Sequence, residues 1–249
     1  GAPNLIIANN VAAHVPNLRD FFGGLEILAG DQTLISIENP SILNLLKENQ
    51  FDTIYHEHLD YHHAGPLARH LTALGFDLID LSVNNVQGGS LRLLLKKTGI
   101  GEVTSQAQNF LDDEKQSVLC SEVFLSNWPG MIESSMAKFQ ESLSYEASLG
   151  ARIVAYGAPT KATLLLKHAK LNASEISFVV EDNPHKVGRF LPISGIPIYE
   201  TSELISFQPE VIVLLAWNFA DDIVGKLKTK FNNPIKIFIP LPNLKIINL

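Results

Sequence analysis

Arg152-Ile153-Val154-Ala155-Tyr156-Gly157-Ala158-Pro159-Thr160-Lys161-Ala162-Thr163-Leu164-Leu165-Leu166 decides the fold class. After Arg152, Ile153-Val154-Ala155-Tyr156 make an apolar run of strand length that opens on two β-branched residues. Four turn-forming residues follow, and the apolar spacing then becomes that of a helix. A strand passing through a tight turn into a helix is half of a βαβ unit, and the signal repeats downstream. Ile176–Val180 reads as a strand ending in Glu181-Asp182-Asn183-Pro184, and Ile196-Pro197-Ile198 as a short extended piece. Thr201–Phe207 reads as a helix, Val211–Leu215 as a strand, Ala220–Lys230 as a helix and Ile235–Pro240 as a last strand. Residues 151–249 are therefore expected to form a doubly wound, Rossmann-like α/β domain.

Residues 1–100 alternate in the same way. Leu5-Ile6-Ile7-Ala8 has the pattern of a buried parallel strand and ends in Asn9-Asn10. Asn17 is placed to cap a helix over Leu18–Leu28, with Leu18, Phe21, Phe22, Leu25 and Leu28 on one stripe. A second strand, Leu34–Ile37, runs out into Glu38-Asn39-Pro40, and a helix over Ser41–Lys47 follows. Pro66 to Leu74 suits another helix, with Gly75 at its carboxyl cap. Phe76–Val83 and Ser90–Lys97 are expected to form an antiparallel pair joined through Asn84–Gly89. Between the two α/β regions, residues 101–150 carry helically spaced apolar positions such as Val118, Ile132, Met136, Phe139 and Leu143. They read as a helical connector, interrupted at Trp128-Pro129-Gly130.

Composition narrows the function. The 249 residues hold 19 Lys+Arg against 26 Asp+Glu, a net charge of -7, which disfavours a nucleic-acid phosphate binder. A single cysteine excludes a disulfide framework and a four-thiolate zinc site. No apolar run has the length of a membrane span and no signal peptide opens the chain, so a cytoplasmic protein with no membrane partner is expected.

The chemistry is concentrated in Tyr55-His56-Glu57-His58-Leu59-Asp60-Tyr61-His62-His63. Nine residues with four imidazoles, two phenols and two carboxylates suit general acid–base work, because imidazole exchanges protons near neutrality and a neighbour can orient it. Metal binding is the rival reading, since His56 and His58 share a face if the segment is extended, although the helical spacing of zinc peptidases is missing. His14 follows the first strand, at the sheet end where open α/β folds place ligands. In the second half, Thr160 and Lys161 sit at a strand–turn–helix that can hold an anion. Asn183, His185, Lys186 and Arg189 follow the next strand and are further candidates for a diphosphate or nucleoside contact.

Phe51-Asp52-Thr53-Ile54-Tyr55-His56-Glu57-His58 stands between Ile37-Glu38-Asn39-Pro40 and Gln87-Gly88-Gly89-Ser90-Leu91-Arg92. Together with Tyr156–Ala162 and Glu181–Lys186, this ordered set resembles the sugar C-methyltransferases, which build branched deoxysugars. The resemblance implies the closing part of a Rossmann-like methyltransferase sheet in residues 1–100 and a nucleotide-sugar-binding domain in 151–249. It implies methyl transfer from S-adenosylmethionine to the carbon α to the ketone of a nucleoside-diphosphate keto-sugar, dTDP-linked by expectation, with no metal. His58 would be the base, Tyr55 and Glu57 would position the sugar or help to stabilise the enolate, and His14 matches another active-site histidine. Asn9 and Asn10 stand near where the cofactor would lie.

Members of that family also carry a cysteine-rich zinc module and an acidic, Gly-rich cofactor loop, neither of which precedes Leu5. The expectation is an incomplete enzyme, inactive alone and binding S-adenosylmethionine poorly, with a severed sheet edge near Leu5 inviting homo-oligomers. Two other readings stay open at this level. One is a non-catalytic nucleotide-sugar-binding or assembly module. The other is a metal-dependent lyase or epimerase.

Overall fold

The computed structural model describes residues 1–84, 86–231 and 233–249. Asn85, in the turn expected over Asn84–Gly89, and Asn232 lie outside the described residues, as does the side chain of Gln87. The protein is α/β throughout and divides into two units. The first comprises Gly1–Lys47 and His56–Ser126, the second Glu48–Tyr55 and Asn127–Leu249.

The first unit is built on β1 (Leu5–Asn9), β2 (Leu34–Pro40), β3 (Phe76–Asn84) and β4 (Ser90–Lys97), in the order β1-β2-β4-β3. β1 and β2 are parallel, and β4 runs antiparallel to both β2 and β3. Helices α1 (Leu18–Leu28), α2 (Ile42–Lys47), α3 (Ala64–Ala73) and α4 (Ser105–Gln116) complete it. Asn17 caps α1 as its sequence position requires, its side chain accepting the Asp20 N–H. Phe22, Ile35, Leu71, Phe76, Leu93 and Leu95 are fully buried in one cluster. Each such side chain contributes about 1.5–3 kcal/mol.

Two expectations are corrected here. β1 is not a buried strand: Leu5 and Ile7 are 50% and 62% exposed, and Ala8 alone is buried. It has one hydrogen-bonded neighbour, and only the face carrying Ile6 and Ala8 meets the core. β2 runs three residues further than expected, because β4 continues its ladder through Glu38↔Arg92, Asn39↔Leu91 and Pro40↔Ser90.

The second unit is a six-stranded sheet of β5 (Ile153–Tyr156), β6 (Val179–Glu181), β7 (Ile198–Glu200), β8 (Val211–Leu214), β9 (Lys236–Ile239) and β10 (Lys245–Asn248). Its order is β10-β9-β8-β5-β6-β7, parallel except for the antiparallel β10. From β5 the chain winds to β6 and β7 on one side, then returns to β8 and β9 on the other. The strand order therefore reverses between β5 and β8. Three short helices connect these strands: α6 (Ala162–His168), α7 (Glu203–Phe207) and α8 (Ala220–Lys228). β10 escapes the sequence reading because it is four residues long and follows the proline-bearing Pro240-Leu241-Pro242 stretch.

Residues 101–150 do not stand apart as a connector. α4 packs on the first unit through Ala107, Phe110 and Leu111. α5 (Glu122–Ser148) crosses the boundary at Ser126/Asn127 and buries Ile132, Met136, Phe139 and Leu143 in the second core. Pro129 lies inside α5 without ending it, although it removes one backbone donor. The apolar stripe that follows, spaced four, three and four residues apart, carries the helix onward.

Candidate functional site

In the first unit the carboxyl ends of β1 and β2 are joined by a hydrogen bond from the Asn10 N–H to the Glu38 carbonyl, 2.7 Å. Asn10 makes this approach in the left-handed region, at φ 54°, a conformation that asparagine tolerates better than most residues. A single 3-10 turn follows over Ala12–His14, with Ala12 and Ala13 buried.

Segment 56–63 lies along this turn like the second half of a zipper. The Leu59 and Asp60 N–H groups both donate to the Ala13 carbonyl, at 2.8 and 3.3 Å. A ring nitrogen of His62 donates to the Ala12 carbonyl. His14 Nδ1 lies 2.6 Å from the Glu57 carbonyl oxygen. A carbonyl can only accept, so Nδ1 carries the proton and Nε2 is the nitrogen left for chemistry. The His58 ring is 4.9 Å from that of His14, and Tyr61 meets His58 edge-on at 6.1 Å.

Three further side chains of the β1 and β2 ends and of segment 56–63 carry unspent polar atoms. Asn39 is fully buried, and neither its Oδ1 nor its Nδ2 has a hydrogen-bond partner among the described residues. His62 is 7% exposed with Nε2 likewise unpartnered, and burial holds its ring below the ordinary histidine range. Asn10 Oδ1 is buried without a partner as well. The neighbouring Glu38 carboxylate, in contrast, is spent: Arg92 Nε and Nη2 reach its Oε2 at 2.8 and 2.6 Å, and Asn84 Nδ2 at 3.1 Å.

The structure thus brings His14 and His58 together, with Asn10 beside them on the same strand end. Glu57 contributes its carbonyl, while its carboxylate is 53% exposed and faces His56 at 3.9 Å. His56 is itself 83% exposed, and residues 56–57 form a turn rather than an extended strand, so the shared His56/His58 face does not arise. Among the described residues there is no group of three or more His, Cys, Asp or Glu side chains that could hold a metal ion. Tyr55 belongs to the second unit. Tyr61 and His62 are the residues near this centre to which sequence reasoning gave no individual role. The signal was present, because both lie in the nine-residue stretch, but nothing in the sequence says which members face inward. A cavity of about 550 Å³ in the same unit lies between α3 and α4, lined by Arg69, Asp77, Leu111 and Glu114 among others, and His14 and His58 are not among its walls.

In the second unit, the Gly157 turn presses against the end of β8. Gly157 has φ +86°, and a Cβ there would meet the Ala216 Cβ at 2.6 Å. Two of the turn's backbone donors are already used, the Gly157 N–H by the Val180 carbonyl at 2.8 Å and the Ala158 N–H by a carboxylate. The Ala158 N–H donates to Glu181 Oε2 at 2.8 Å, and Lys186 Nζ donates to the Ala158 carbonyl at 2.8 Å. Asn183 accepts the His185 N–H through its side chain. Thr160, Asn183, His185 and Arg189 are exposed.

Lys161 is turned inward, 9% exposed. Its ammonium lies 3.7 Å from the Trp217 ring centroid and 4.0 Å from Asp52 Oδ2. Asp52 is fully buried, and its Oδ2 accepts the Trp217 indole N–H at 2.6 Å. Burial pushes the Asp52 carboxyl up and the Lys161 ammonium down to about 8, each acting mainly through desolvation.

Among the described residues, no helix is long and apolar enough to cross a membrane. A family model described as the C-methyltransferase C-terminal domain matches residues 85–242. The chain is also 29% identical over all 249 residues to C-methyltransferase NovU of Streptomyces niveus, and it spans 59% of that protein's length. The family match covers more than half of the chain and includes β5 to β9 of the second unit's sheet. The chain belongs to the C-methyltransferase C-terminal domain family.

Proposed function

We propose that this chain is the base-bearing and substrate-binding part of a sugar C-methyltransferase acting next to the ketone of a nucleoside-diphosphate keto-sugar. The observation that carries the reading is the pairing of His14 and His58 beside buried, unspent amide and imidazole atoms at the ends of β1 and β2. Removing a proton α to a carbonyl needs one positioned base, together with donors that stabilise the oxygen as charge moves onto it. His58 takes the proton. His14, held through Nδ1 by the Glu57 carbonyl, keeps its Nε2 on the reacting side. The Asn39 amide suits the sugar's oxygens, the family resemblance gives Tyr55 a sugar-positioning role, and Glu57 orients the histidine pair through its backbone. Thr160, Asn183, His185, Lys186 and Arg189 present polar and cationic groups to the nucleotide portion, while Lys161 faces inward.

The family implies S-adenosylmethionine as methyl donor, and the residues at the end of β1 fit part of its cradle. Asn10 offers a buried acceptor without a partner, and Asn9 is exposed beside it, which suits an ammonium or a ribose hydroxyl. Bound there, the cofactor supplies an electrophilic methyl group on a sulfonium, needing no metal. The chain's own part is to generate and hold the nucleophilic carbon.

The test is proton–deuterium exchange at the carbon α to the keto group of a thymidine-diphosphate keto-sugar, without cofactor. The intact chain should catalyse exchange, and His58→Ala should abolish it. A wild-type chain that catalyses none removes the base assignment.

A further inference from the structure

A doubly wound sheet binds its ligand in the crevice where the strand order reverses, outside the carboxyl ends of the two strands that flank the reversal. In the second unit those strands are β5 and β8, whose ends lead into Lys161 and Trp217. What fills this place is the chain itself. Glu48–Tyr55 leaves the first unit's sequence and belongs to the second. Phe51 is buried in the second core and packs edge-on against His168 at 5.0 Å. Asp52 next to it is fully buried, bonded to the Trp217 indole and 4.0 Å from the Lys161 ammonium, which in turn lies over the Trp217 ring. An anion, a cation and an aromatic donor in contact are what such a crevice offers to a bound phosphate, except that here the anion is Asp52.

We propose that the reversal crevice of the second unit is a receptor for the chain's own Phe51-Asp52-Thr53 turn, and that Asp52, Lys161 and Trp217 are positioning residues for the segment ending in Tyr55. Lys161 then serves as the counter-ion of Asp52 and not as a diphosphate ligand. Nucleotide recognition falls to the exposed loop of Asn183, His185 and Arg189. The consequence for Tyr55 rests on the methyltransferase reading above. The seating of the turn does not.

Hydrogen–deuterium exchange by mass spectrometry over residues 48–62 tests the seating, in the whole chain, for Lys161→Met, Asp52→Asn, Trp217→Phe and the double variant Asp52→Asn/Lys161→Met. Each charge variant alone leaves a buried partner uncompensated and should raise exchange in 48–55 at least 10-fold. The neutral double variant should return it to within about threefold of wild type. Trp217→Phe, which keeps an aromatic ring but loses the N–H and part of the ring system, guards against general unfolding and should raise exchange in 48–55 while leaving β5 and β8 protected. Calorimetry with thymidine diphosphate should give affinities within twofold for wild type and Lys161→Met. In the α-proton exchange assay the single variants should lower the maximal rate at unchanged KM.

Unchanged exchange in 48–55 for the single variants overturns the proposal, as does a 10-fold or greater loss of thymidine diphosphate affinity in Lys161→Met. A wild-type chain that ignores the nucleotide would sink the sugar reading instead, with the 48–55 exchange still deciding the seating.

Discussion

In the first unit the strand ends leave Asn39 and His62 buried with polar atoms that find no partner among the described residues, whereas in the second the equivalent crevice is closed by Asp52, Lys161 and Trp217. Both places are ligand positions by topology. An unanswered buried polar atom costs about 1–3 kcal/mol, which a fold tolerates where something else is to bind. The second unit tolerates a smaller debt, since Asp52 Oδ1 alone of its trio is unanswered. The contrast teaches that similar architecture can serve two ends: one sheet end keeps unanswered polar atoms, which the proposed function gives to a substrate, and the other holds a piece of its own chain.

The sharpest way to break the comparison is at the waiting end. His58→Ala should lower α-proton exchange by 10²–10⁴-fold, the usual reach of a general base, measured by NMR loss of the α-proton signal. A drop of less than fivefold would mean that another group takes the proton.

At the filled end, Lys161→Met or Asp52→Asn alone should cost about 3–5 kcal/mol in denaturant unfolding, because each strands a buried charge or its partner. The double variant should lie within about 1 kcal/mol of wild type or above it. Additive losses would show that the two residues do not act as a pair. Asn39→Leu should do the reverse. With its unanswered amide removed, the ligand-free chain should gain about 1–3 kcal/mol while the keto-sugar exchange rate falls. A loss of stability on that substitution would show that the amide is satisfied in solution.

The smallest effect concerns pH. Burial holds Lys161 down to about 8 in the folded protein, below the ordinary lysine range that it keeps when unfolded, so between the two the unfolded chain binds the extra proton. Stability then rises with pH, at most about 1.4 kcal/mol per unit. Tyr156, raised to about 12, and Cys120, also raised, act in the opposite sense at higher pH. The difference between wild type and Lys161→Met, measured from pH 8 to 9, isolates the lysine. No difference in slope would refute the lysine's displaced titration.

Much of this was legible in the sequence. The strand–turn–helix at Arg152–Leu166 identifies the second sheet, and the Asn17 cap and the β3–β4 pair stand where spacing places them. The density of histidines marks the stretch in which His14 and His58 are found paired with their neighbours, the candidate site. Three things were not legible. Burial of β1 depends on what covers Leu5 and Ile7, which an apolar run cannot report. The excursion of Glu48–Tyr55 into the second unit leaves no mark in local pattern, since Asp52 and Trp217 are 165 residues apart and neither is unusual where it stands. For the same reason Lys161 reads as an anion ligand. Its partner is fixed by tertiary packing, and a strand–turn–helix offers the same cation whether the anion comes from solution or from the chain.

That separation also sets an order of events at the ribosome. The Phe51-Asp52-Thr53 turn emerges 165 residues ahead of the indole that holds it, and at about 5–20 residues per second the wait is on the order of ten to thirty seconds. Throughout that interval Phe51 has no core to enter and Asp52 has no cation to face. The histidines that follow them in sequence acquire a fixed lead-in only when β8 and Trp217 have been made. A nascent chain arrested before Trp217 should therefore hold a first sheet whose adjoining loop is still open to proteases, and closure of that loop would report completion of the second unit.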